Sequence, residues 1–104
     1  MEKDIQKAII DYLQYLGAVV VKVNNVGIYK KDTNSYIPTR QLGVSDLLVC
    51  YKGKFIAIEV KRKGGNLTLH QEGFLEDVKG GGGIAFVAYS LDDAISTMGQ
   101  LFEG

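Results

Sequence analysis

The chain reads as a small α/β domain in the order α-β-β-β-α-β-α, and three observations predict it. Segments 3–16, 68–80 and 91–101 place apolar residues at helical spacing. Runs 18–23, 45–51, 55–61 and 84–89 are short, apolar and bounded by turn residues, as strands are. The 104 residues, 46% hydrophobic and 23% charged, are enough for one domain, 1–104, with a true core, and too few for two.

Each element follows from its local pattern. Ile5, Ala8, Ile9, Tyr12, Leu13 and Leu16 form the stripe of the first helix, and Gly17 fits its C-terminal stop. Ala18 to Val23 is β-branched and predicts a strand. Asn24 to Gly43 is polar and holds the one proline, Pro38, while Ile28, Tyr29, Tyr36 and Ile37 within it are suited to a short ribbon. A connection of that length is unusual in a small domain unless it binds something.

Ser45 to Tyr51 and Phe55 to Lys61 flank Lys52-Gly53, a hairpin signal with glycine available for positive φ. Thr68 and Gln71 match a capping box ahead of Leu69, Phe74, Leu75 and Val78. Gly80 to Gly83 ends that helix; the run lacks the Gly-Lys-Ser/Thr ending of a phosphate loop and is read as a turn. Ile84 to Tyr89 predicts a buried strand, and Ser90 caps a last helix marked by Leu91, Ala94, Ile95, Met98 and Leu101.

No unbroken apolar run exceeds the six residues of Ile84 to Tyr89, far short of a membrane span, and the first residues contain no apolar leader, so a cytoplasmic location is expected. Cys50 has no second cysteine to pair with and is expected to be a buried structural thiol. His70 has no histidine or cysteine at ligand spacing, which argues against a zinc role. Net charge is zero but unevenly distributed. Residues 22–63 hold nine bases and three acids, whereas the flanks hold three bases and nine acids. A basic central segment is the footprint a phosphate backbone favours.

The chemistry concentrates in Val44-Ser45-Asp46 and Ile58-Glu59-Val60-Lys61. Alternation puts Glu59 and Lys61 on one strand face and Ile56, Ile58 and Val60 on the other. If the hairpin turns about Lys52-Gly53, positions i and 105 − i face each other, and Asp46 lies opposite Glu59. Like charges in that arrangement repel, and a pair of carboxylates placed so suits Mg²⁺ or Mn²⁺. With Lys61 beside it, such a centre suits phosphodiester hydrolysis. The spacing is equally that of a cross-strand salt-bridge cluster on a solvated sheet face.

The signature Asp46…Glu59-Val60-Lys61 resembles that of the PD-(D/E)xK nuclease superfamily, and more narrowly the chain resembles the VRR-Nuc family of virus-type replication-repair nucleases. The resemblance rests on Glu2 to Leu13, Lys22 to Gly27, Gly43 to Asp46, Ile58 to Lys61 and Leu67 to Phe74, in order along the chain. In place of the family's Arg and Asn-Ser-Gly after the first strand stand Lys22 and Asn24-Asn25-Val26-Gly27. The resemblance implies a restriction-endonuclease-like core with a mixed central sheet flanked by helices. It implies that Asp46, Glu59, the Val60 carbonyl and an N-terminal acid, Glu2 rather than Asp4, hold the metal. It further implies that Lys61 serves the attacking water and that Gln71 helps hold the catalytic site. Lys22, Asn24, Asn25, Lys30, Lys31, Arg40, Ser45 and Lys63 are the expected DNA-binding residues.

The activity implied is a Mg²⁺-dependent (or Mn²⁺-dependent), structure-selective DNA endonuclease acting on branched DNA, with four-way junctions favoured. Members made of this domain alone are similar in organisation to Holliday junction resolvases, so a homodimer is expected, with Leu91, Ile95, Met98, Leu101, Phe102 and the Tyr29–Ile37 ribbon as candidate interfaces. The alternatives are a flap or nick-processing nuclease and a non-catalytic DNA-binding module on the same fold.

Overall fold

The computed structural model describes residues 2–23, 28–30, 35–37 and 43–102. The helices are α1 (Glu2–Tyr15), α2 (Leu69–Gly80) and α3 (Leu91–Phe102). The strands are β1 (Val19–Lys22), β2 (Ile28–Lys30), β3 (Ser35–Ile37), β4 (Leu47–Tyr51), β5 (Lys54–Val60) and β6 (Ile84–Ala88). Setting aside the β2–β3 pair, the order is the one the sequence predicts. None of the described helices is long and apolar enough to cross a membrane.

The main sheet is mixed, in the spatial order β1-β4-β5-β6. β1 and β5 each run antiparallel to β4, and β6 runs parallel to β5. The parallel step needs a crossover, and α2 supplies it. The hairpin register follows the 105 − i rule, with Leu47 opposite Ile58 and Tyr51 opposite Lys54. Lys52 and Gly53 both have positive φ, as a two-residue type I′ connection requires. β2 and β3 form the short antiparallel ribbon expected between Asn24 and Gly43, pairing Ile28 with Ile37 and Tyr29 with Tyr36.

Different helices pack on the two faces of the sheet. Ile56, Ile58 and Val60 of β5 and Leu47 and Val49 of β4 pack with Ile9 and Leu13 of α1 and Ala94 and Met98 of α3. On the reverse face Ala57 and Ala85 pack beneath Leu75 of α2, with Leu48, Phe74 and Val78 at its margin. The small residues there let α2 lie close over β5 and β6. A solvated face for Glu59 and Lys61 is therefore overturned for Glu59, which sits under α2 and is 2% exposed.

Two further expectations fail for related reasons. Cys50 is exposed, not buried, because α2 packs over β5 and β6 and leaves the β1–β4 half of that face open. Val19, Val21 and Phe55 share this uncovered face. Met98 is a core residue and so is removed from the candidate interface on α3, while Ile95 and Leu101 stay exposed. Phe102 packs edge-to-face on Tyr51, with ring centroids 5.0 Å apart.

Candidate active site

Asp46 stands one residue ahead of β4, where the backbone ladder stops and a side chain takes over. Its main-chain carbonyl accepts the Val23 N–H at 2.8 Å, and its Oδ2 accepts the Val60 N–H at 2.9 Å. The carboxylate thus caps the end of β5 and is aimed along it, beside Glu59. Glu59 lies on the α2 face of β5, and Gln71, from the first turn of α2, donates its Nε2 to Glu59 Oε2 at 3.3 Å.

Gln71 is itself fixed by the predicted capping box. Its Oε1 accepts the Thr68 N–H at 2.9 Å, and its backbone N–H donates to Thr68 Oγ1 at 3.1 Å. Both ends of the side-chain amide are used, one to cap the helix and the other to hold Glu59. The capping bonds and the contact with Glu59 coexist on this one residue.

Glu59 Oε1, in contrast, is buried and has no hydrogen-bond partner among the described residues. Burial pushes the Glu59 carboxyl up to about 8, a hydrogen bond that its protonated form makes with Asp46 and the Asp46 charge add to the shift, Lys61 opposes it and Glu2 adds a further rise. Two ionised carboxylates this close are costly; a proton shared between them relieves the cost, and a divalent cation would relieve it with both groups ionised. The donor set is hard oxygen, and Mg²⁺ sites commonly use one or two carboxylates and complete their shell with water. Asp46 and Glu59 fit such an ion.

Glu2 is near but engaged elsewhere: its Oε2 accepts the Arg62 N–H at 3.3 Å. It acts on Glu59 through its charge. Among the described residues no three acidic, histidine or cysteine side chains form a group able to hold a metal, so Glu2 does not join Asp46 and Glu59 as a third ligand in this structure. Asp4, the rival N-terminal acid, lines a separate groove with Lys3 and Lys22.

Lys61 follows directly after β5 and is half-buried, its stem lying against the Gly65 backbone in the turn closed by the Gly65 N–H on the Arg62 carbonyl. Lys63 and Lys22 are exposed at the same end of the sheet. Ser45 is 0% exposed with an unpartnered hydroxyl, so it presents no surface to DNA and that expectation is corrected. The expected contacts Asn24, Asn25, Lys31 and Arg40 lie outside the described residues, and Lys30 is described in its backbone only.

Gly43 is a residue that the motif reading missed. Its φ is +79°, and a Cβ there would fall 2.1 Å from the His70 carbonyl oxygen and 2.8 Å from the Gln71 nitrogen. The chain leading to Asp46 therefore lies directly on the turn of α2 that carries Gln71. A glycine three residues before the acid was the available signal.

Comparison with known proteins places the fold. No protein-family model matches the chain, and no curated protein does. Solved structures do match. One described as "VRR_NUC domain" is 23% identical over 97% of both chains, with a TM-score of 0.72. Another, "VRR_NUC domain protein", is 18% identical over 98% of this chain and 88% of its own, with a TM-score of 0.64. With strand order, register and acid placement in hand, the chain has the fold of a VRR_NUC domain.

Proposed function

We propose that the protein is a metal-dependent DNA endonuclease that hydrolyses phosphodiester bonds in branched DNA, with four-way junctions as the favoured substrate. One observation carries the reading: Glu59 is buried beside Asp46, an arrangement that disfavours two ionised carboxylates and that a divalent cation would complete. The VRR_NUC names of the structural neighbours support it.

Asp46, Glu59 and the Val60 carbonyl would hold the ion, Mg²⁺ or Mn²⁺. When bound, it supplies Lewis-acid polarisation of the phosphoryl oxygen and an acidified water. The chain's own residues do the positioning. Asp46 is held by the Val60 N–H on Oδ2, and Gln71 fixes the Glu59 carboxylate through Oε2. Lys61 places a positive charge beside Glu59, where it orients the attacking water or offsets charge on the phosphate.

The test is cleavage of a four-way junction, a flap and a linear duplex with and without Mg²⁺. Preferential metal-dependent cutting of the junction is expected. Preference for the flap would move the assignment to flap processing. Binding without cutting in either metal would leave a non-catalytic DNA-binding module.

A further inference from the structure

A groove of about 330 Å³ lies on the opposite face of the sheet from Asp46 and Glu59, between α1 and the end of β1. Lys3, Asp4, Gln6, Lys7 and Ile10 line it from the helix and Lys22 from the strand, three bases to one acid. Its placement follows from the strand alternation. Val20 packs toward the core that α1 covers, and Lys22, two residues on, shares that face.

The groove opens at the same end of the sheet as the carboxylates. Lys22 pairs with Leu47, which pairs with Ile58, the neighbour of Glu59. Two strand spacings, about 10 Å, therefore separate the β1 edge of the groove from the strand that carries Glu59. Lys3 is adjacent to Glu2, whose carboxylate reaches the Arg62 backbone just beyond Lys61.

The lining has the chemistry of a phosphodiester backbone site. Lys3 and Lys7 are one helical turn apart, about 6 Å along the axis, and face a third lysine from the strand. Gln6 offers an amide donor, and Ile10 an apolar surface for a sugar. Lys7 is paired with Asp11 at 2.8 Å, but both side chains are largely exposed, and such a pair exchanges partners at little cost. The linear charge pattern concealed this site, because Lys3 and Lys7 sit in the acidic flank and meet Lys22 only in the fold.

We propose that this groove binds the DNA backbone flanking the scissile phosphate, so that the substrate lies across the end of the sheet with the carboxylates on one side and the three lysines on the other. The proposal rests on the nuclease reading. It is tested by the salt dependence of binding of a labelled four-way junction in EDTA, for wild type, the double variant Lys3→Gln/Lys7→Gln, and Lys79→Gln as control. Lys79 is on the last turn of α2, paired with Glu76.

The double variant is expected to bind at least tenfold more weakly at low salt and to lower the slope of log K against log salt by about two units. Lys79→Gln should match wild type. A double-variant slope equal to wild type, in a protein that binds the junction, overturns the groove alone. An equal drop in the control overturns it as well, by showing a general charge effect. Failure of wild type to bind DNA overturns the groove together with the nuclease reading.

Discussion

Glu59 is a carboxylic acid in a place that disfavours its charged form. Ionised, it is buried beside a second carboxylate; protonated, it shares its proton with the Asp46 side chain. Its folded pKa of about 8 lies above the ordinary value of 4.5, so between those limits the folded state holds a proton that the unfolded chain has lost. Stability therefore falls as pH rises from about 5 to 8, by an amount on the order of 4 kcal/mol for this group. Thermal melting in EDTA should show that decline. Millimolar Mg²⁺ should reverse it at pH 8, and Glu59→Gln should flatten it.

The same substitution separates stability from catalysis. An amide at position 59 still accepts from Gln71, and an amide at 46 still accepts the Val60 N–H. Asp46→Asn and Glu59→Gln should therefore keep the fold and junction binding while losing all detectable cleavage; wild-type turnover in either variant would reduce the carboxylates to structural groups. For Lys61→Ala, a rate loss of about 10²-fold with less than threefold weaker binding is expected, since a positioned charge acts mainly in the transition state. Equal losses in both would make Lys61 a phosphate clamp.

At the scale of elements, the site is a junction of three: the Gly43–Asp46 approach, the end of β5 and the first turn of α2. The first two were legible, because Lys52-Gly53 sets the hairpin register, and the register brings Asp46, just ahead of Leu47, to the end of β5 that carries Glu59 and Val60. The capping box was legible too. Burial of Glu59 was not, since alternation alone assigns a residue to a face but does not say whether a helix covers it. The same ignorance misplaced Cys50, which faces the same side one strand further out. Gly43 belongs to this scale. Any side chain at φ +79° is strained, and there it would also meet the His70 carbonyl. Gly43→Ala is expected to lower the melting midpoint by more than about 5 °C and to weaken Mg²⁺ binding measured by calorimetry, because Gln71 moves with the helix turn. Unchanged metal affinity would confine Gly43 to a folding role.

Considered whole, the chain carries one Asp46, one Glu59 and one Lys61, whereas a four-way junction presents two related strands. Paired incision is most simply made by a two-fold dimer, which needs a self-complementary apolar surface. The fold narrows the choice. Met98 belongs to the core, leaving Ile95 and Leu101 on α3, and a second surface emerges where α2 stops short of β1 and β4, with Val19 65% and Val21 53% exposed beside Phe55 and Cys50. Side chains of the Tyr29–Ile37 ribbon lie outside the described residues. The sheet face gathers Val19, Val21, Cys50 and Phe55 as exposed neighbours, against two such residues on α3, so Val21→Lys should disperse a dimer that Ile95→Lys leaves intact. Sedimentation velocity at micromolar concentration would decide between them, and would show which surface is used if the order is reversed. A strict monomer that cuts both strands of a junction would remove the need for either surface, and a monomer that nicks one strand would shift the activity toward flap or nick processing.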